Sequence, residues 1–234
     1  MAIDLNRQAG NSSFLAPHHY PGRLVAAEGL DGSGKSTQIQ LLSFWLRSEG
    51  YEVIITEWNS SKLIKRALKV GRKQGAMNPK LLSLLHAADI AEMHQRHILP
   101  ALQRGAVVLA DRYIYTALAR DLARGVESAW VQHVYQFAVR PDLSVYFQIS
   151  AEEALRRSSG AHPLLKYEQH SGMDLATHAD PKGSFRSFQQ HVLHAYEAMI
   201  DDFALFCLDA TLPVKQQQRL LRETLLRVLP GENE

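Results

Sequence analysis

Gly29-Leu-Asp-Gly-Ser-Gly-Lys-Ser36 follows the apolar run 23–28 and precedes residues at helical spacing, Gln38, Leu41, Leu42, Trp45 and Leu46. The pattern G-x-x-x-x-G-K-[ST] lets successive backbone N–H groups wrap a phosphate at a helix N-terminus. Gly29, Gly32 and Gly34 supply the backbone freedom. Lys35 then reaches the β- and γ-phosphates, the Ser36 hydroxyl is a ligand for Mg2+, and Ser33 and Thr37 add contacts. Strand, loop and helix in this order predict a phosphate-binding turn with ATP and Mg2+ as its ligands.

Outward from this turn, Gly50 closes the helix and the β-branched run 52–56 reads as a second strand. Helical stretches over 61–71 and 79–104 lead to a short apolar strand, 106–110, that ends on Asp111. Two more strands are expected at 143–148 and 205–208. Helical segments are expected from Ala151, over about 181–202, and over 214–229. This alternation predicts an α/β, P-loop NTPase fold: a parallel five-stranded sheet with helices on both faces and ligands at the carboxyl ends of its strands, where Gly29 and Asp111 fall. Residues 1–21 read as a mobile tail and 22–234 as one domain, within which 158–182, rich in Gly, His, Ser and Pro, is an irregular lid region.

Composition sets limits on function. With 234 residues, 46% of them hydrophobic, the chain has enough apolar material for one sizeable core. Lys and Arg number 26 against 24 Asp and Glu, and the resulting charge of +2 gives no field that would draw nucleic acid or an anionic membrane. No apolar stretch approaches the roughly 20 residues that cross a bilayer. Cys207, the only cysteine, lies in the apolar run 204–208 and reads as a buried structural thiol. Without a disulfide framework a reducing, cytoplasmic setting is expected. The histidine pairs His94/His97 and His191/His194 fall at helical i, i+3 spacing and read as surface residues.

Asp111 ends an apolar strand, as a carboxylate that holds Mg2+ or its water would; otherwise it is a solvated strand end. Arg112 stands on the same rim, where a guanidinium braces phosphates and neutralises transition-state charge, or else pairs at the surface with a carboxylate. Arg156, Arg157 and Lys166 flank the irregular stretch and are candidate lid cations.

With these residues in place, the chain from about 23 to 229 resembles thymidylate kinases, nucleoside monophosphate kinases that move the γ-phosphate of ATP to dTMP. The resemblance rests on Glu28-Gly-Leu-Asp-Gly-Ser-Gly-Lys-Ser-Thr-Gln38, His86-Ala-Ala-Asp-Ile90, Ile98-Leu-Pro-Ala-Leu102, Asp111-Arg-Tyr113 and Arg140-Pro-Asp-Leu143. It implies that Lys166-Tyr-Glu168 belongs to the lid. It places Asp209-Ala-Thr-Leu-Pro213, and so Asp209, Ala210 and Thr211, beside the adenine, and Asp31 near the acceptor's sugar or phosphate. A homodimer is implied as well. On the acceptor side the chain departs from the family. Thr56-Glu-Trp-Asn-Ser-Ser61 replaces T-R-E-P-G-G-T, so Glu57 and Trp58 stand where an acceptor-phosphate arginine is usual. His86 replaces the Phe that stacks on thymine, and Ile90 the Arg that contacts the base. The segment after Tyr113 reads Ile114-Tyr-Thr-Ala-Leu-Ala-Arg-Asp121, with Thr116 as a substrate contact and Arg120-Asp121 as an ion pair. Trp58, His86 or Tyr115 could supply another stacking platform.

The first expectation is therefore an enzyme transferring phosphoryl groups to a nucleoside monophosphate, with dTMP the acceptor that the family implies. Two alternatives stand beside it. One is a kinase of another nucleotide or of a non-nucleotide acceptor; the other is a nucleotide-dependent switch, although neither an N-K-x-D guanine motif nor an L-S-G-G-Q signature is present.

Overall fold

β1 (Arg23–Glu28), β2 (Val53–Glu57), β3 (Val107–Asp111), β4 (Leu143–Gln148) and β5 (Phe206–Asp209) form one parallel sheet in the order β2-β3-β1-β4-β5. The structure, a computed structural model, describes residues 14–75, 77–158 and 181–229. Strands flanked on both sides are buried over most of their length, because helices cover both faces: β1 from Leu24 to Glu28, and β3 from Val107 to Ala110. β2 and β5 are the edges, and their burial is broken by exposed positions.

Helices fill the crossovers. They are α1 (Lys35–Ser48), α2 (Lys62–Lys73), α3 (Pro79–Met93), α4 (Leu99–Gln103), α5 (Ile114–Ala123), α6 (Ser128–Tyr135), α7 (Ala151–Ser158), α8 (Pro181–Asp202) and α9 (Val214–Leu225). The helix expected over 79–104 is interrupted by a π-type turn, His94–Ile98, before α4. Pro100 explains the break, since it has no N–H to donate and its ring crowds the carbonyl four residues back. His94 is buried there, its Nε2 accepting from the Val139 N–H at 3.3 Å, and it is not a surface residue as its spacing suggested. Helices α5 and α6 had no sequence signal. From Ile114 to Asp121 every residue of α5 is buried, and its polar side chains Thr116, Arg120 and Asp121 face the interior and not solvent.

Most buried side chains join one core on the sheet; Ile64, Leu68 and Leu82 make a small second cluster between α2 and α3. The described part of the expected tail, residues 14–21, packs on the domain instead of hanging free. Leu15 is 2% exposed, the Phe14 ring meets Phe203 edge-on at 5.8 Å, and Ala16 bridges to Val139, its carbonyl accepting from Arg140 N at 2.9 Å. The polar stretch before Phe14 hid this boundary. Asp142 of the Arg-Pro-Asp-Leu segment anchors the same corner, accepting from Leu24 N at 2.7 Å and lying 3.0 Å from His18 Nε2. Cys207 is exposed, contrary to the expected buried thiol, because the alternating face of edge strand β5 turns it outward. Of the lid expected over 158–182, Lys166 and residues 159–180 lie outside the described residues.

Strand order fixes where a ligand can enter. From β1 the chain crosses toward β2, and from its neighbour β3 it crosses the other way toward β4. The loops leaving β1 and β3 therefore diverge and open a crevice at their carboxyl ends.

Candidate active site

The loop after β1 fills one wall of that crevice. Gly29, Gly32 and Gly34 have φ of +136°, +87° and +89°, conformations that glycine adopts without a Cβ clash. A Cβ on Gly29 would come within 2.8 Å of the Phe147 carbonyl oxygen, so this strand end also needs glycine for close approach to β4. Gly34 caps α1 without a side-chain hydrogen bond. The first N–H groups of that 14-residue helix are thus not taken by a cap, and they suit an anion.

Lys35 is almost fully buried, its Nζ donating to the Leu30 carbonyl at 2.7 Å and to Ser33 Oγ at 3.1 Å. Burial, with Arg112 adding repulsion, brings its pKa down to about 7, against the attraction of Asp31, Asp111 and Glu28. The Ser36 hydroxyl donates to Asp111 Oδ2, and both side chains reach the crevice. One hydroxyl and one carboxylate are hard oxygen donors, the set that fits Mg2+ when phosphates and water complete its shell. Among the described residues no group of three or more His, Cys, Asp or Glu could hold a metal ion by itself.

Arg112 opens the loop after β3 with φ +74°, a strained conformation for a residue with a Cβ and one held by its N–H bond to the Ala27 carbonyl at 3.0 Å. Its Nη1 donates to the Gly29 carbonyl at 3.0 Å and to Thr116 Oγ1 at 3.2 Å, and its Nη2 to Asp31 Oδ1 at 2.5 Å. Asp31 Oδ2 accepts from Arg120 Nη2 at 2.9 Å. Arg120 therefore pairs with Asp31 and not with its neighbour Asp121, which pairs with Arg124 at 3.4 Å.

Beneath this layer lies Glu28, which had no assigned role. It is fully buried, accepts from Tyr113 N at 2.9 Å, from Thr116 Oγ1 and from the Tyr196 hydroxyl at 3.2 Å, and burial raises its pKa. Through these bonds one carboxylate joins β1, the loop after β3, α5 and α8. A charge ending an otherwise apolar strand was the available signal; its partners, 85 to 168 residues away, gave none.

Beyond β3, Glu57 stands exposed in register with Asp111, and Trp58 N donates to the Asp111 carbonyl at 3.3 Å. The Trp58 ring meets His86 edge-on at 4.9 Å and has the Arg120 guanidinium 5.4 Å from its centre. Asp89 of the His86-Ala-Ala-Asp-Ile90 segment fixes the loop behind Trp58, accepting from Asn59 N at 2.6 Å and Ser61 N at 2.8 Å. Ile90, in contrast, is completely enclosed in the main core and exposes no atom to a substrate, as burial of an aliphatic side chain favours. Tyr115 is likewise buried against Phe203, at 5.3 Å, and offers no stacking face. At the far end of the sheet, Asp209 Oδ1 accepts from Thr211 N at 2.8 Å and Thr211 Oγ1 at 2.6 Å, while Ala210 offers its carbonyl to Arg157 Nη1 at 3.0 Å. Arg156 and Arg157 both bind the Glu153 carboxylate on the surface of α7.

The structure thus gathers Gly29, Asp31, Gly32, Ser33, Gly34, Lys35, Ser36, Asp111, Arg112 and Thr116 at one crevice, with Thr37 exposed on the first turn of α1. Glu57, Trp58 and His86 lie at its β2 end, and Arg157 and 209–211 at its β5 end.

Comparison with known proteins identifies the family. The profile of the family described as Thymidylate kinase matches residues 27–220. The chain is 37% identical over 205 residues to "Probable thymidylate kinase 2" of Saccharolobus solfataricus, covering 87% of this chain and 95% of that protein. It is 42% identical over 148 residues to "Probable thymidylate kinase" of Thermococcus gammatolerans, covering 59% and 71% respectively. With "Thymidylate kinase" of Caldanaerobacter subterraneus subsp. tengcongensis it shares 31% over 188 residues, 78% of this chain and 83% of that one. A profile that runs from the end of β1 into α9, and relatives matched over most of their length, place this chain in the thymidylate kinase family.

Proposed function

We propose that this protein transfers the γ-phosphoryl group of ATP to dTMP, giving ADP and dTDP. The observation that carries the reading is the contact between the two loops of the crevice: Ser36 on Asp111, and Arg112 on Gly29 and Asp31. An acceptor phosphate oxygen attacks the γ-phosphorus, a P–O bond forms, and the bond to the β–γ bridging oxygen breaks with its electrons passing to ADP. Such a transfer needs alignment and charge neutralisation more than a covalent partner.

The backbone N–H groups after Gly34 hold the β-phosphate, and Lys35 exchanges its bonds to Leu30 and Ser33 for phosphate oxygens. Arg112 faces the charge that develops on the transferring group, while Asp31 holds its guanidinium in plane. Ser36 and Asp111 would hold Mg2+, which when bound would supply positive charge to offset that of the phosphates. Asp209, Ala210 and Thr211 border the adenine, and Arg156 and Arg157 approach the triphosphate from α7. Glu57, Trp58, His86 and Thr116 face the acceptor. Among the described residues no helix is long and apolar enough to cross a membrane. A cytoplasmic homodimer is part of the proposal, supported by the resemblance to a family that pairs through sheet-covering helices.

The test is ADP release across a panel of nucleoside monophosphates. dTMP is expected to raise turnover well above the ATP-only background, and Lys35→Met to lower it by about 100-fold or more. A panel in which no monophosphate exceeds background overturns the proposal.

A further inference from the structure

Arg120 sits in the crevice with its donors only partly taken up by the protein. It is 7% exposed; Nη2 donates to Asp31, the guanidinium lies over Trp58 and 6.0 Å from the Phe188 ring, and Nε is buried without a hydrogen-bond partner. Asp31 is shared, since its other oxygen takes Arg112. The remaining cation nearby, Arg124, has its own carboxylate in Asp121. Burial pulls the Arg120 pKa down to about 10, opposed by Asp31, with Arg112 and Arg124 adding to the drop, so the side chain stays charged at neutral pH. Two guanidiniums on one carboxylate, with a donor left over, form a costly arrangement until an anion completes it.

Position decides which anion. Arg120 contacts Asp31 and Trp58, and Trp58 heads the loop after β2; the 209–211 loop lies after β5, at the opposite edge of the sheet. An anion at Arg120 therefore belongs to the ligand that enters beside β2 and not to the triphosphate chain lying toward α1. The loop after β2, residues 58–61, carries neither arginine nor lysine, so the cation for this anion must come from elsewhere in the fold.

We infer that Arg120 binds the phosphate of the acceptor, a nucleoside 5′-monophosphate, side by side with Arg112, with Trp58 holding the guanidinium plane toward it. The inference rests on the phosphotransferase reading above and adds to it the residue that selects a phosphorylated over an unphosphorylated acceptor. Trp58 Nε1, also buried without a partner, is a second donor on the same wall.

The test is direct binding of dTMP and of thymidine to wild type, Arg120→Met and Arg120→Lys, together with KM for dTMP and for ATP. For Arg120→Met the dTMP dissociation constant should rise about 10- to 100-fold, as expected for a charge-assisted hydrogen bond, while thymidine affinity and KM for ATP stay unchanged. Arg120→Lys, which keeps charge but not the planar fork, should recover part of the preference for dTMP. If dTMP and thymidine weaken together, or KM for ATP rises with KM for dTMP, the residue serves the fold or the donor and the inference is wrong. Should Arg120→Met not fold, the lysine variant decides alone: an unaltered dTMP preference overturns the inference. Wild type that binds no dTMP overturns the functional proposal and this inference together, whereas wild type that turns dTMP over while Arg120→Met keeps its preference overturns only the latter.

Discussion

A lysine buried against one backbone carbonyl and one hydroxyl at the mouth of a helix makes a measurable proton balance. The Lys35 pKa, about 7 in the folded protein, is below the value of 10.5 for an unfolded lysine. Between these values the unfolded chain holds a proton that the folded chain has released. Stability therefore rises with pH through this window, and the cost of burying the charge is fully present below it. Phosphates restore the charge. ATP binding at pH 8 should take up close to one proton, visible as a difference in binding enthalpy between buffers of unlike ionisation heat, and Lys35→Met should abolish that difference. At this scale the sequence was readable where spacing alone fixed the chemistry, as at Lys35, Ser36, Asp111 and Arg112. It was silent where the partner came from far along the chain. Nothing near Glu28 announced Tyr196, and nothing near Arg120 announced Asp31, 89 positions away, so adjacency suggested Asp121 instead.

Among elements, the loop after β2 depends on α3. Asp89 takes the N–H groups of Asn59 and Ser61, Asn59 adopts φ +56°, and the Ser61 hydroxyl accepts from Ile64 N at the start of α2. Asp89→Ala leaves the buried Ser61 N–H and the part-buried Asn59 N–H without their carboxylate partner. It should cost about 3 kcal/mol of stability in denaturant unfolding and, by loosening Trp58, shift its fluorescence and raise KM for the acceptor more than for ATP. The strands were legible because short apolar runs between glycines have few other uses, and each began within a residue of its expected start. Helix α5 was not, since it is short and its few polar residues, Thr116, Arg120 and Asp121, are buried against the site instead of forming a solvent face. Pro100 was visible in the sequence; the π-type turn ahead of it depends on packing that only the fold supplies.

For the whole molecule, the main consequence is that the domain begins earlier than its composition suggests. Leu15 seals the core beside Val139, and Arg23 Nε donates to the Val228 carbonyl at 2.6 Å, so both ends of the described chain are tied to the start of β1. Leu15→Ala should lower the free energy of unfolding by about 2–4 kcal/mol, read from a guanidinium melt. Gly22 allows this junction to form: a Cβ there would meet the Ala106 carbonyl oxygen at 2.4 Å.

The outward face of β5 gives experimenters something the enzyme itself does not use. Its thiol is the only one in the chain, it is exposed, and it stands two residues ahead of Asp209 in the loop proposed to border the adenine. Burial of its surroundings, with Asp201 nearby, raises the thiol's pKa, so modification proceeds slowly and is best driven at alkaline pH. A single dye or spin label at Cys207 would report nucleotide arrival from one defined point, without any prior removal of cysteines.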